Sequence, residues 1–367
     1  MGPSTLITMK KTLAVLVAIS FLGSSLSLPA FAAVKSGAKC ATKDQIKTSQ
    51  GKKYTCIKSG KKLVWNKGVL VIKPATEPVA TPQKVIFTPW ATEFDVASMT
   101  QIALDAARFY FGKVTPSNNY EITFDPAISL KDRAWILEGT DFAYGSFSKI
   151  NGERPIIYIG ATREWAREAL KNKNIWIGDP NDLYPCGARN DDAGCVGDNK
   201  MLLLFRAGRL LNAGSAEKFL MKTATSHEMF HIITERIHRN VGPGNPARIP
   251  QWLMEGSAAF YQFYAGDELG FDKYQTGRDD LVTRNSDYRT IVPLSQYDGG
   301  GLNPYGIGMA ASEYIIASIG FENFMNIWIF TKSENSFAAG FKKATGIEID
   351  TFYSKFEVAR GAMRIGS

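Results

Sequence analysis

Apolar positions along the second part of the chain recur at two periods. Met99, Ile102, Ala103, Ala106, Ala107 and Tyr110 fall at helical spacing, and Tyr120 to Phe124 alternates and stops at Asp125-Pro126 as a strand does. The same reading predicts a helix over 131–143, a strand over 155–159, a helix over 163–170 and a strand over 201–205. From Ala216 to Asn240 there is neither proline nor glycine, which predicts one long helix. A second helix is expected after Pro250, beyond a loop punctuated by Gly242, Pro243, Gly244 and Pro246. Helical spacing then persists over 309–319, 321–331, 336–344 and 349–359, with breaks expected at Gly320, Gly340 and Gly346. Mixed α/β elements followed by helices alone predict an α+β domain, beginning near Thr92 and running to residue 367, with a helical C-terminal subdomain.

Upstream the pattern changes. Residues 73–91 hold Pro74, Pro78 and Pro82 among Ala, Thr and Val, the composition of an extended linker. Residues 34–72 are short segments punctuated by Gly37, Gly51, Gly60 and Gly68, which predicts a small β-rich module. The first 32 residues place Lys10 and Lys11 before an apolar run from Leu13 to Leu22 and end in Ala30-Phe31-Ala32, the layout of a cleaved secretory signal, with Met9 as a candidate start. Lys39 before Cys40 argues against a lipid anchor. Export into an oxidising compartment predicts two local disulfides, Cys40 with Cys56 and Cys186 with Cys195.

Charge sharpens the division. Between Val34 and Lys73 lie 11 lysines and one acid, Asp44, a net of +10; Lys10 and Lys11 add two, so the formal total of +8 leaves −4 for everything else. The basic character belongs to the module. Anionic cell-wall or surface polymers are its expected partners, whereas the absence of arginine from it argues against nucleic acid.

Chemistry concentrates in Thr225-Ser226-His227-Glu228-Met229-Phe230-His231-Ile232-Ile233, which contains H-E-x-x-H. On a helix His227 and His231 stand one turn apart on one face and can reach a single ion, with Glu228 about 100° round. Phe230, Ile233 and Ile237 make a separate apolar stripe for packing. A third ligand is available 24 residues after His231, where Glu255 sits in Trp252-Leu253-Met254-Glu255-Gly256-Ser257-Ala258. H-E-x-x-H followed by W-L-x-E-G-x-A resembles the gluzincin clan of zinc metallopeptidases, in particular its peptidase-MA-like members.

The resemblance implies a zincin-like domain, one Zn2+ held by His227, His231 and Glu255, and Glu228 as the general base in peptide hydrolysis. It also implies an oxyanion donor after the third ligand. Tyr305 in Asn303-Pro304-Tyr305-Gly306 is the candidate, with Tyr261, Tyr264 and Tyr297 as rivals. Glu235, one turn after His231, is either an orienting partner of a ligand histidine or a solvated charge. The third of the chain's three histidines, His238, lies nearly two turns beyond His231 and is expected to be solvated. Phe324 and Trp328 are expected in the core. The reading that emerges is an exported, extracellular or wall-associated bacterial peptidase acting on peptides or proteins. Its rival is a cell-surface binding protein whose domain holds metal without turnover.

Overall fold

In the computed structural model the described residues are 35–49, 52–70, 88–150, 152–172, 193–205, 215–239, 241–284, 292–298 and 302–363. The export segment, the linker as far as residue 87 and Cys186 lie outside them. The chain divides into two units, Met1–Gln83 and Lys84–Ser367.

The first unit is an antiparallel sheet. β1 (Ile46–Ser49) and β3 (Lys62–Trp65) flank β2 (Lys52–Ser59), and β4 (Val69–Leu70) also pairs with β2. Alternation along the strands turns Tyr54, Cys56 and Trp65 to one face, where they bury the Cys40–Cys56 disulfide. Gly68 is forced by contact as well as by its φ of 70°, since a Cβ there would lie 2.7 Å from the Tyr54 ring.

The second unit opens with α1 (Val96–Phe111), capped by Asp95, whose carboxylate accepts from the Ser98 amide at 2.8 Å. Trp90, at the end of the expected linker, already belongs to this unit. It is buried edge-on against Tyr314 and Phe352, and its amide donates to Ser318 Oγ at 3.2 Å.

A mixed four-stranded sheet follows in the order β5-β6-β8-β7: β5 (Glu121–Phe124), β6 (Ile156–Gly160) and β8 (Lys200–Leu204) run parallel, and β7 (Ala193–Gly197) is antiparallel at the edge. Strict alternation buries both faces. Ile157, Ile159, Met201 and Leu203 enter the main core, while Tyr158, Leu202 and Leu204 pack on α3 (Arg163–Asn172) through Ala166 and Leu170. The β7–β8 turn is two residues, Asp198 and Asn199, with φ of 48° and 62°, as a twisted hairpin requires.

Over the main-core face lie α2 (Leu130–Ser146), capped by Ser129, and α4 (Ser215–Ile237). They meet at Gly139, where a Cβ would come within 2.0 Å of the Lys222 carbonyl oxygen. The remaining helices are α5 (Gln251–Glu268), α6 (Tyr274–Arg284), α7 (Tyr305–Glu334), α8 (Phe337–Thr345) and α9 (Ile349–Ala362). The buried carboxylate of Glu313 on α7 accepts from Tyr274 Oη at 2.5 Å and pairs with Arg278 at 2.7 Å, fastening α6 to α7.

Two expected breaks fall as read, and one does not. Gly320 interrupts α7 with φ 81° and ψ 161°, and Gly346 ends α8 with φ 78°. Gly340 instead lies inside α8, where a Cβ would sit 2.3 Å from the Thr331 amide nitrogen, so close helix contact and not a turn explains it. α7 also starts earlier than the apolar pattern suggested, at Tyr305. The unit is α+β, and no described helix is long and apolar enough to cross a membrane.

Candidate metal centre

α4 presents its chemistry and its packing on different sides. Met229, Phe230, Ile232 and Ile233 are fully or almost fully buried in the core, and Ile237 packs against it, while Glu228 and His231 line a cleft of about 290 Å³ and His227 lies beside His231.

α5 brings Glu255 back alongside. Its entry is held by Arg248, which pairs with Asp298 at 3.2 Å, and by the Gln251 amide, which donates to the same carboxylate at 3.3 Å. Trp252 stacks on Phe352 at 5.6 Å. His238 Nε2 donates to the Ala247 carbonyl at 2.7 Å, tying the end of α4 to the chain that leads into α5. His238 is therefore buried, contrary to the sequence expectation, because this loop folds back over the helix end.

Three potential ligand atoms converge. His227 Nε2 and His231 Nε2 are 3.2 Å apart, and Glu255 Oε2 lies 3.3 Å from the first and 3.4 Å from the second. Ligand atoms about 2.0–2.1 Å from a tetrahedral zinc are separated by about 3.3–3.4 Å, so the trio has the spacing such an ion requires. Two imidazoles and a carboxylate are also a zinc donor set, and together they form a group able to hold a metal ion. The motif residues His227, His231 and Glu255 thus come together as the spacing implied.

The electrostatics follow from this crowding. Burial works against a charged His231, but the adjacent Glu255 carboxylate outweighs it and holds the pKa up at about 9. Burial likewise opposes the charge on Glu255, yet His231 and His227 hold its carboxyl far below the usual range. For Glu228 burial wins and raises the pKa, with the two histidines only partly offsetting it. His227 Nδ1 is buried with no hydrogen-bond partner among the described residues.

Tyr305, the first residue of α7, stands over this group. Its ring centroid is 5.7 Å from that of His227, and Glu255 is close enough to act on its hydroxyl. Burial raises its pKa, and the charges of Glu255 and Glu228 raise it further. Its rivals Tyr261, Tyr264 and Tyr297 are all buried in the core. The placement of Tyr305 rests on a backbone crossing, since Gly256 of α5 and Gly308 of α7 approach so closely that a Cβ on Gly256 would be 2.0 Å from the Gly308 carbonyl carbon.

The opposite wall went unread in the sequence. β7 contributes Gly194, Cys195 and Val196, and a Cβ on Gly194 would lie 2.1 Å from Glu228 Oε1. The Asp198-Asn199 turn pair was the available signal for this strand. Cys195 is disulfide-bonded. Trp328 is buried as expected but also lines the cleft, with Met254 and Ile249. Glu235 lines it too, half-buried, and makes no hydrogen bond to His231, so the orienting role is not seen.

No protein-family model matches the chain, and neither a curated protein nor a solved structure does.

Proposed function

We propose that this chain is an exported zinc-dependent peptidase of gluzincin type, with a zincin-like second unit. The observation that carries the reading is the convergence of His227, His231 and Glu255 at 3.2–3.4 Å from two helices, with Glu228 beside them in the same cleft. A zinc ion bound there supplies Lewis-acid activation of water and polarisation of a carbonyl.

The chain's own groups supply the rest. Glu228, whose carboxyl pKa burial has raised, accepts the proton of the attacking water and passes it to the leaving amine. Tyr305 keeps its hydroxyl protonated and donates to the oxyanion that develops on the substrate. Gly194 leaves room for the Glu228 carboxylate. Disulfides at Cys40–Cys56 and at Cys195 support an oxidising, extracellular setting. The lysine-rich unit serves attachment to anionic surface polymers.

Elemental analysis and a peptide digest test this together. One zinc per chain, lost in His231→Ala, and hydrolysis of unfolded casein abolished in Glu228→Gln with zinc retained, are the expected results. Tyr305→Phe lowers turnover by about 10²–10³-fold. A chain that takes up no zinc, or a zinc-loaded chain that cleaves nothing, overturns the proposal.

A further inference from the structure

The cleft carries three carboxylates and, among the described residues that line it, neither lysine nor arginine. Two of the three have tasks in the peptidase reading, Glu255 as ligand and Glu228 as base. Glu235 has none. It stands one turn beyond His231, about 6 Å further along the α4 axis, and lines the same cleft. Burial raises its pKa, which marks a carboxylate partly stripped of water.

Among the described residues only longer-range charges act against that desolvation. No hydrogen bond or ion pair among the described residues reaches Glu235, and the groups that act on it at longer range are His231, Arg239 and Asp198. The one guanidinium of the three is committed elsewhere, because Arg239 pairs with Asp198 at 2.9 Å and is itself largely exposed. His231 is a metal ligand in the proposed reading, so it is not free to serve as a counter-ion. A half-buried carboxylate left unpaired is costly to the folded chain and is compensated when a cationic ligand arrives.

We infer that Glu235 is a specificity determinant that receives a cationic nitrogen of the peptide substrate, one residue's reach from the scissile bond. The inference rests on the peptidase reading. Two sources share this chemistry, a lysine or arginine side chain and a free N-terminal ammonium.

The test is cleavage-site profiling of the zinc-loaded full chain on a peptide library made by glutamate-specific digestion, which leaves lysine and arginine in place. One half of the library is N-terminally acetylated. Wild-type protein is expected to cut with lysine or arginine enriched at one subsite. Glu235→Gln lowers the ratio of basic to neutral sites by about tenfold, as loss of one charge-assisted contact does, and Glu235→Lys turns the preference toward aspartate and glutamate, each with one zinc still bound. A loss in Glu235→Gln that is equal in both library halves identifies the side chain as the source, and a loss confined to the unacetylated half identifies the N-terminal ammonium. An unchanged profile in both variants, with only stability altered, overturns the inference and assigns Glu235 to Arg239. Zinc-loaded wild-type protein that yields no products at all defeats the peptidase reading instead, a result distinct from an unchanged profile.

Discussion

Gly256 and Gly308 pass each other backbone to backbone, so that a Cβ on Gly308 would lie 2.1 Å from the Trp252 carbonyl oxygen and one on Gly256 would meet Gly308 itself. The crossing ties Glu255, next to Gly256, to Tyr305, one turn before Gly308. No flexible side chain is available to give way, because the atoms met are main chain. Either glycine changed to alanine therefore costs about 1–3 kcal/mol by overpacking. Urea unfolding should show a lowered midpoint for Gly256→Ala and Gly308→Ala, and Gly256→Ala should also weaken zinc retention. Midpoints equal to the wild type would mean that the helices separate freely.

Gly194 makes a separable prediction. A methyl group there meets first the carboxylate of Glu228 and then the Leu203 side chain. Gly194→Ala should lower peptide hydrolysis at least about tenfold through displacement of the base, while zinc content stays at one per chain. Loss of zinc along with activity would show instead that β7 supports the whole centre.

The coupling of His231 to Glu255 predicts the pH behaviour of the metal-free protein. His231 is held at about 9 against an ordinary 6.5, so its contribution to stability is complete below 6.5 and lost as pH rises through 9. Glu255 is depressed from 4.5, so its contribution is complete above 4.5 and lost as pH falls through its lowered value. Glu228, raised from 4.5, costs stability once pH climbs above that value. Melting curves of the metal-free chain should accordingly decline from about pH 6.5 to 9.

Zinc requires a neutral His231 and hence displaces its proton. Titration calorimetry at pH 7.5 in buffers of different ionisation heat should find at least about one proton released per zinc. Release of none would show that the imidazole is already neutral without metal.

The lysine-rich unit has few buried side chains, chiefly Tyr54 and Trp65 around the Cys40–Cys56 bridge, which closes a loop of 16 residues. Loss of that bridge removes about 3 kcal/mol. Cys40→Ala combined with Cys56→Ala should leave this unit unfolded by the criterion of Trp65 fluorescence, with zinc binding by the second unit unaffected. A variant whose Trp65 signal still melts cooperatively would show that its small core suffices.

Most of the helices and the histidine pair of H-E-x-x-H were legible because they rest on local spacing. His227, Glu228 and His231 need only a helix free of proline and glycine, and Glu255 only a return after a loop. β7 was not legible, since Ala193-Gly194-Cys195-Val196-Gly197 lacks the β-branched alternation that marks a strand and is specified by pairing with β8. α6 was missed because its segment is polar, and its attachment leans on buried polar contacts, Arg278 and Tyr274 with Glu313, that spacing does not show. His238 and Gly340 were misread for a common reason: both are explained by what lies across from them, the Ala247 carbonyl and the Thr331 backbone.

One residue remains whose effect reaches well beyond its neighbours. Tyr305 and Trp328 both line the cleft, yet 23 residues of unbroken helix would hold them about 34 Å apart. They approach successive turns of α4, Tyr305 at His227 and Trp328 at Phe230, with ring separations of 5.7 and 6.2 Å. Only the fold-back at Gly320 makes this possible. The two arms of α7 act as the jaws of a caliper whose pivot is a single glycine, so the width of the cleft is set by a torsion angle fifteen residues from Tyr305.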